Sequence, residues 1–156
     1  MAIDRVREYF RQWAIEDRIL EFSVSSATVA LAALAVGCAP ARIAKTLSFL
    51  VHETPILIVT AGDTKIDNPK YKAAFHAKAK MLNAEQVERL IGHAVGGVCP
   101  FGVHPGVTIY LDVSLKRFQT VFPACGSESS AIELSIPELK QYSGSAAWVD
   151  VCKGWE

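Results

Sequence analysis

The sequence predicts an α/β protein of the α+β kind, a single domain in which a mixed, curved β-sheet is surrounded by helices. Three observations carry that prediction. The chain has 156 residues, the size of one hydrophobic core. Its composition, 51% apolar and 21% charged, belongs to a folded chain with a sizeable interior. Short apolar runs bounded by glycine, proline and serine outnumber the long amphipathic segments, and many connections are short, which favours a sheet with helices packed outside it. Residues 1–156 read as one domain, with no internal repeat and no low-complexity stretch.

Taken in order, Ile3, Val6, Tyr9, Phe10 and Trp13 recur at helical spacing among charged residues and predict an amphipathic first helix. Ile19 to Phe22 reads as a short strand. Ser25, Ser26 and Thr28 offer N-caps for a helix from Val29 to Val36, closed by Gly37; because it is apolar nearly all round, it is expected to be buried. Pro40 opens a short helix over Ala41 to Ala44, and a strand follows from Lys45 to Val51. On that strand the period-two pleat puts Lys45, Leu47, Phe49 and Val51 on one face. The lysine either snorkels from the strand end or stands as a partly desolvated ammonium at a pocket edge, ready to bind an anion or polarise a substrate.

Glu53-Thr54-Pro55 is a turn and Ile56 to Ala61 a second apolar strand, so residues 45–61 form a hairpin. After a polar loop, Asn68 and Pro69 start a helix with Tyr71 and Phe75 on one side. Five lysines face one acid, Asp67, between Lys65 and Lys80; this is either a solvated helix face or a phosphate contact, for which Lys78 and Lys80 are the candidates. Asn83 with Gln86 has the form of a capping box, before a helix that buries Val87, Leu90 and Ile91 and stops at Gly92. Thr108 to Asp112, Phe118 to Phe122, Ala131 to Leu134 and Ala146 to Val151 read as strands. Ser114 to Arg117 makes one helical turn, and Ser135 with Glu138 caps a helix through Tyr142.

Charge and cysteine usage exclude several classes of function. Sixteen basic residues balance sixteen acidic ones, which argues against broad non-specific nucleic-acid binding, though not against a local basic patch. The N-terminal residues carry charges from Asp4 onward and resemble neither a signal peptide nor a membrane span. Cysteines at 38, 99, 125 and 152 have neither Cys-x-x-Cys nor matching histidine spacing, so no metal site, cofactor or disulfide framework is signalled and a reducing, cytoplasmic setting is expected. Cys38 and Cys152 are expected to be small buried hydrophobes.

The stretch GGVCPFG, Gly96 to Gly102, packs three glycines, a proline and a cysteine into seven residues between apolar segments. Such a loop brings backbone N–H groups close to a ligand, or it is an ordinary turn. Downstream lies a second small-residue loop, PACGSESS, from Pro123 to Ser130. With KTLSFLV upstream, HAVGGVCPFG in the middle and a GS loop followed by AIEL, the chain from about Phe22 to Leu139 resembles the YbaK/ProX family of aminoacyl-tRNA editing domains; TVALAALAVGCAPARIAKTL and KAKMLNAEQV share the resemblance.

That resemblance implies the YbaK/prolyl-tRNA-synthetase-associated-domain fold and a trans-editing hydrolase that cuts the ester between a wrong amino acid and the terminal ribose of a tRNA. It implies an essential lysine at Lys45 and a GGxxPxG loop at Gly96, Gly97, Pro100 and Gly102, with Gly126 and Ser127 bordering the pocket. Lys45, Gly97 and Gly102 are the expected catalytic positions. Thr28, Gly96, Val98, Cys99, Pro100, Phe101, Gly126, Ser127 and Ser129 are those expected to bind substrate. The implied partner is the acceptor end of an aminoacyl-tRNA, with a synthetase as a further candidate, in a monomer or weak homodimer. The edited amino acid is expected to be small: Ala, Cys, Ser or Thr.

The residue types suit that chemistry, since N–H groups of a glycine loop can receive the charge that ester hydrolysis builds on the carbonyl oxygen. No histidine is paired with an acid to act as general base, so the expected nucleophile is a water positioned by the loop and by the substrate's own hydroxyl. Cys99 stands where serine is frequent in relatives, and Leu31 where an acid is often found. The first departure raises a rival mechanism, Cys99 as covalent nucleophile activated by loop amides, His93 or His104. A non-catalytic module that binds tRNA or a synthetase is the third alternative, against which the retained lysine and glycine loop argue.

Overall fold

A six-stranded sheet organises the computed structural model, which describes residues 2–155. Helix α1 (Ala2–Arg11) buries Ile3, Val6 and Phe10, the apolar stripe of its sequence, and a 3-10 turn leads to the short β1 (Leu20–Glu21). Helix α2 (Val29–Val36) starts where Thr28 Oγ1 accepts the Leu31 N–H at 3.1 Å and ends at Gly37, whose φ of +83° the left-handed cap requires. Contrary to its all-round apolarity, α2 is not enclosed. Only Ala32 and Ala33 are buried, against Ile43 and Phe122, while Leu34 is 80% exposed. The helix lies on the outside of the sheet and offers it one narrow, small-residue face.

Pro40–Arg42 is a 3-10 turn, not a helix reaching Ala44, and β2 (Ile43–Val51) starts two residues ahead of Lys45. It pairs antiparallel with β3 (Thr54–Ala61) along its length. The turn between them is His52-Glu53, one step before the expected Glu53-Thr54-Pro55. Both residues have positive φ, +46° and +73°, the backbone of a type I′ hairpin turn whose twist matches its strands. The pairing puts Pro55 inside β3.

Beyond β3, the short β4 (Lys65–Ile66) leads into α3 (Asn68–Phe75), capped by the Asp67 carboxylate. A single turn, α4 (Ala84–Gln86), carries the Asn83/Gln86 capping box and widens into a π-helical turn over Val87–Ile91 that ends at Gly92. Strand β5 (Thr108–Asp112) is followed by a 3-10 turn and β6 (Thr120–Pro123), which starts and ends later than Phe118 to Phe122. The run Ala131 to Leu134 is not one strand. It splits into β7 (Ser130–Ala131), paired with β1, and β8 (Leu134–Ser135), paired with β6. Helix α5 (Ile136–Ser143) carries the Ser135/Glu138 capping box, β9 (Ala147–Val149) closes the sheet, and β10 (Cys152–Lys153) pairs with β4.

The sheet order is β8-β6-β2-β3-β5-β9, with parallel and antiparallel neighbours mixed, as expected of a curled α+β sheet. On one face of the central hairpin, Phe49, Ile56 and Ile58 pack with Tyr71 of α3. On the other, Ala44, Leu57 and Val59 join the main core, built with Val6 and Phe10 of α1, Phe101, Leu134 and Leu139. Cys152 is buried as expected, whereas Cys38 is only half-buried. Among the described residues, no helix is long and apolar enough to cross a membrane, and no group of three or more His, Cys, Asp or Glu residues could hold a metal ion.

Candidate active site

A cavity of about 350 Å³ opens where β2 loses its second neighbour. The parallel ladder from β2 to β6 covers only Ile43 and Ala44. Further along, β2 gains another partner in the segment before α4: Leu50 N–H donates to Lys80 C=O at 2.9 Å and Leu82 N–H to Ser48 C=O at 3.2 Å. A two-residue hairpin turn makes its flanking pair, Val51 and Thr54, a hydrogen-bonded pair, so the odd-numbered residues of β2 face their backbone groups to β3. The even-numbered residues face theirs the other way. Between the two partners, Thr46 therefore directs its N–H and C=O, and Ser48 its N–H, into the gap.

The cavity wraps around this edge. Thr28, Val29 and Ala32 of the α2 region wall one side, Met81, Leu82 and Val87 another, and Gly96, Val98, Ala124, Ser130 and Ala131 close it. Lys45 lines it too. Its side chain rises from the face of β2 that carries Leu47 and Phe49, and its ammonium donates to Thr64 C=O. Burial holds the Lys45 pKa below the ordinary lysine value, partly opposed by the charge of Asp63.

Three loops meet at the cavity, and the GSES segment ties them together. Ser26 N–H donates to Glu128 C=O at 2.6 Å and Phe22 N–H to Ser129 C=O at 2.8 Å, which fixes the approach to α2. On the other side, Gly97 packs so tightly on Gly126 and Ser127 that a Cβ there would lie 2.7 Å from Ser127 N and 2.8 Å from Gly126 C. Only glycine permits that approach. Within the loop, Ser127 Oγ donates to Ser130 Oγ at 2.9 Å.

The expected site residues fall into two groups. Lys45, Thr28, Gly96 and Val98 line the cavity. Gly97, Cys99, Pro100, Phe101, Gly102, Gly126, Ser127 and Ser129 are not among its lining residues: Gly97 N–H is engaged by Ala94 C=O at 3.0 Å, and Gly102 lies against the backbone of Arg5. Phe101 is fully buried, with its ring centroid 4.7 Å from that of Phe10. Cys99 is fully buried too. Its sulfur lies 3.5 Å from His93 Nε2 and 3.6 Å from Phe101 C=O, and burial pushes its pKa up to about 12. His93, whose pKa burial lowers, directs Nε2 to Phe101 C=O at 2.8 Å. His104 contacts Arg5 and Arg89 C=O. Lys78 and Lys80 are exposed, next to Met81 at the cavity rim.

The sequence pattern marks Lys45 but gives no sign of Thr46, Ser48 or Ser130. The same period-two reading puts Thr46 and Ser48 on the opposite face from Lys45, yet only the interrupted ladder opens that edge to the cavity.

A curled α+β domain with a cavity at a broken strand edge, bordered by a lysine and a glycine loop, has the form of a domain that takes a small ligand. Comparison with known proteins gives the family. The aminoacyl-tRNA editing domain matches residues 24–142, and the chain belongs to that family. It is 54% identical over 157 residues to YwhH of Bacillus subtilis (strain 168), an uncharacterized protein, with all of both chains covered. A crystal structure proposed to be a trans-editing enzyme for prolyl-tRNA synthetase superposes with a TM-score of 0.88 at 26% identity, covering 98% of each chain. The hypothetical protein APE2540 superposes with a TM-score of 0.80 at 27% identity, over 93% of this chain and 99% of that one.

Proposed function

We propose that the chain is a trans-editing deacylase that hydrolyses the ester of a mischarged aminoacyl-tRNA carrying a small amino acid. The observation that carries this reading is the meeting of Lys45, Gly96, Val98 and the free edge of β2 at one cavity, in a member of the editing-domain family. The aminoacyl group and terminal ribose enter the gap. Water adds to the ester carbonyl carbon, the oxyanion is received by the N–H groups of Gly96, Val98 and the β2 edge, and the bond to the ribose oxygen breaks. The ribose oxygen takes up the proton that the attacking water gives up, and free amino acid and tRNA leave. Lys45 exchanges Thr64 C=O for an oxygen of the substrate, and the substrate's own neighbouring hydroxyl orients the water.

Lys78 and Lys80, exposed beside the rim, contact phosphates of the acceptor end. Cys99 takes no part: its thiol is enclosed, holds its proton at neutral pH, and neighbours a histidine committed to a backbone carbonyl. The deciding experiment is a deacylation panel over tRNAs mischarged with Ala, Cys, Ser and Thr, run with wild type and Lys45→Ala. The expected result is hydrolysis of at least one ester by the wild type and a loss of at least a hundredfold in the variant, with an unchanged melting temperature. A folded Lys45→Ala that deacylates at the wild-type rate would remove the lysine from the mechanism, and a wild type inert on the whole panel would leave a binding module.

A further inference from the structure

The carbonyl that holds Lys45 belongs to a bend that is fixed at each of its residues. Strand β3 ends at Ala61, and residues 62–64 turn past the start of β2, where Thr64 C=O accepts from the Lys45 ammonium. Gly62 lies so close to the connection between α2 and β2 that a Cβ there would collide with Pro40 C=O and fall 2.8 Å from Val29 Cγ1. Thr64 is buried, and its Oγ1 donates to Ala61 C=O at 2.7 Å. Between them, the Asp63 carboxylate accepts from both arms of the Arg117 guanidinium, Nη2 at 2.6 Å and Nη1 at 3.0 Å. Arg117 is held in turn. Its Nε donates to Ser114 C=O at 2.9 Å, and its guanidinium carbon lies 4.8 Å and 5.0 Å from the ring centroids of Phe118 and Trp155.

A buried ammonium gives up its proton more easily unless an anion stands near. Among the described residues, Asp63 is the charged group that favours the ammonium of Lys45, and Lys65 of β4 opposes it. The Cys152 thiol of β10 is kept protonated by burial, which pushes its pKa up to about 12, and the Asp112 carboxylate of β5 is turned to the N–H groups of Ser114 and Val151. We propose that Asp63 is a positioning residue for Lys45: clamped by Arg117, it fixes the bend that presents Thr64 C=O to the ammonium, and its charge keeps that ammonium protonated. The inference rests on the editing reading, in which Lys45 serves the ester as a donor. Asp63 does not line the cavity and acts through Lys45 alone. Its pairing with Arg117 has a second effect. A carboxylate occupied by a guanidinium does not capture the lysine, so Lys45 rests on a neutral carbonyl, a weaker hold that substrate can replace.

The test reads Lys45 both directly and through turnover. Protein carrying isotope-labelled lysine is titrated by NMR, the Lys45 signal being the one missing from Lys45→Ala, and kcat/KM is followed across pH on the mischarged tRNA that the wild type hydrolyses fastest. Wild type, Asp63→Asn, Asp63→Glu and Arg117→Gln are compared. Activity that needs the ammonium declines as the pH rises through its pKa. Removing the neighbouring negative charge lowers that pKa, so Asp63→Asn is expected to move both the Lys45 titration and the alkaline decline of kcat/KM to lower pH, and Asp63→Glu to return them toward the wild type. Arg117→Gln, which frees the carboxylate to take the ammonium, is expected to move the titration to higher pH and to cost roughly tenfold or more in turnover. A clamp with a structural role alone would lower the melting temperature and turnover of all three variants and leave the Lys45 titration in place. That result, or an unmoved titration in Asp63→Asn, would overturn the proposal while leaving the deacylase standing. A wild type inert on every mischarged tRNA would remove the editing reading, and the NMR titration would still decide the hold of Asp63 on Lys45.

Discussion

The two ends of GGVCPFG do opposite work. Gly96 and Val98 border the cavity, whereas Cys99, Pro100 and Phe101 are buried, and Phe101 sits at the centre of the aromatic cluster formed with Tyr9 and Phe10 of the first helix. Between them Gly97 is pressed onto the GS loop. The loop is thus anchored at one end: its far half is fixed in the core, and its near half borders the cavity. Its most reactive atom, the Cys99 sulfur, belongs to the anchor. A nucleophilic residue type in a glycine loop is therefore no evidence of nucleophilic chemistry until its exposure is known.

Substitutions in the anchor should be read first in stability and those near the cavity first in turnover. The largest effect is expected for Phe101→Ala, a loss of about 3–5 kcal/mol in a urea titration, because the fully buried ring leaves a cavity at the packing of the first helix. A loss under 1 kcal/mol would dissolve the distinction between the halves. Gly97→Ala comes next. Its Cβ collides with backbone, not with a movable side chain, so the two loops must part; destabilisation of about 1–3 kcal/mol is expected together with a loss of deacylation exceeding what the unfolded fraction explains. Wild-type turnover in a folded Gly97→Ala would separate the GS loop from the site.

Cys99→Ala should do least, with turnover retained and stability lowered by about 1 kcal/mol. Its signature lies in alkaline unfolding. A thiol whose pKa is raised from 9.0 to about 12 in the fold contributes stability that is complete below pH 9 and disappears as the pH climbs toward 12, since the unfolded chain releases the proton first. The variant should lose less stability over that window. A collapse of kcat in Cys99→Ala with unchanged folding would reinstate the covalent route.

What the sequence by itself determined is local. Helix starts at Thr28, Asn83 and Ser135 were legible because a capping side chain reaches only three residues along the chain. The faces of β2 followed from the pleat, which needs no neighbour to define it, and the editing family was carried by the order and spacing of its lysine, glycine and GS motifs. The tertiary structure decided what those signals could not contain. The exposure of Leu34 depends on what packs beside α2, and the splitting of Ala131 to Leu134 into two bridges depends on which strands stand opposite. The cavity at Thr46 exists because two partners of one strand leave a gap between them. That gap is a property of chain segments far apart in sequence, so no motif around Lys45 could announce it.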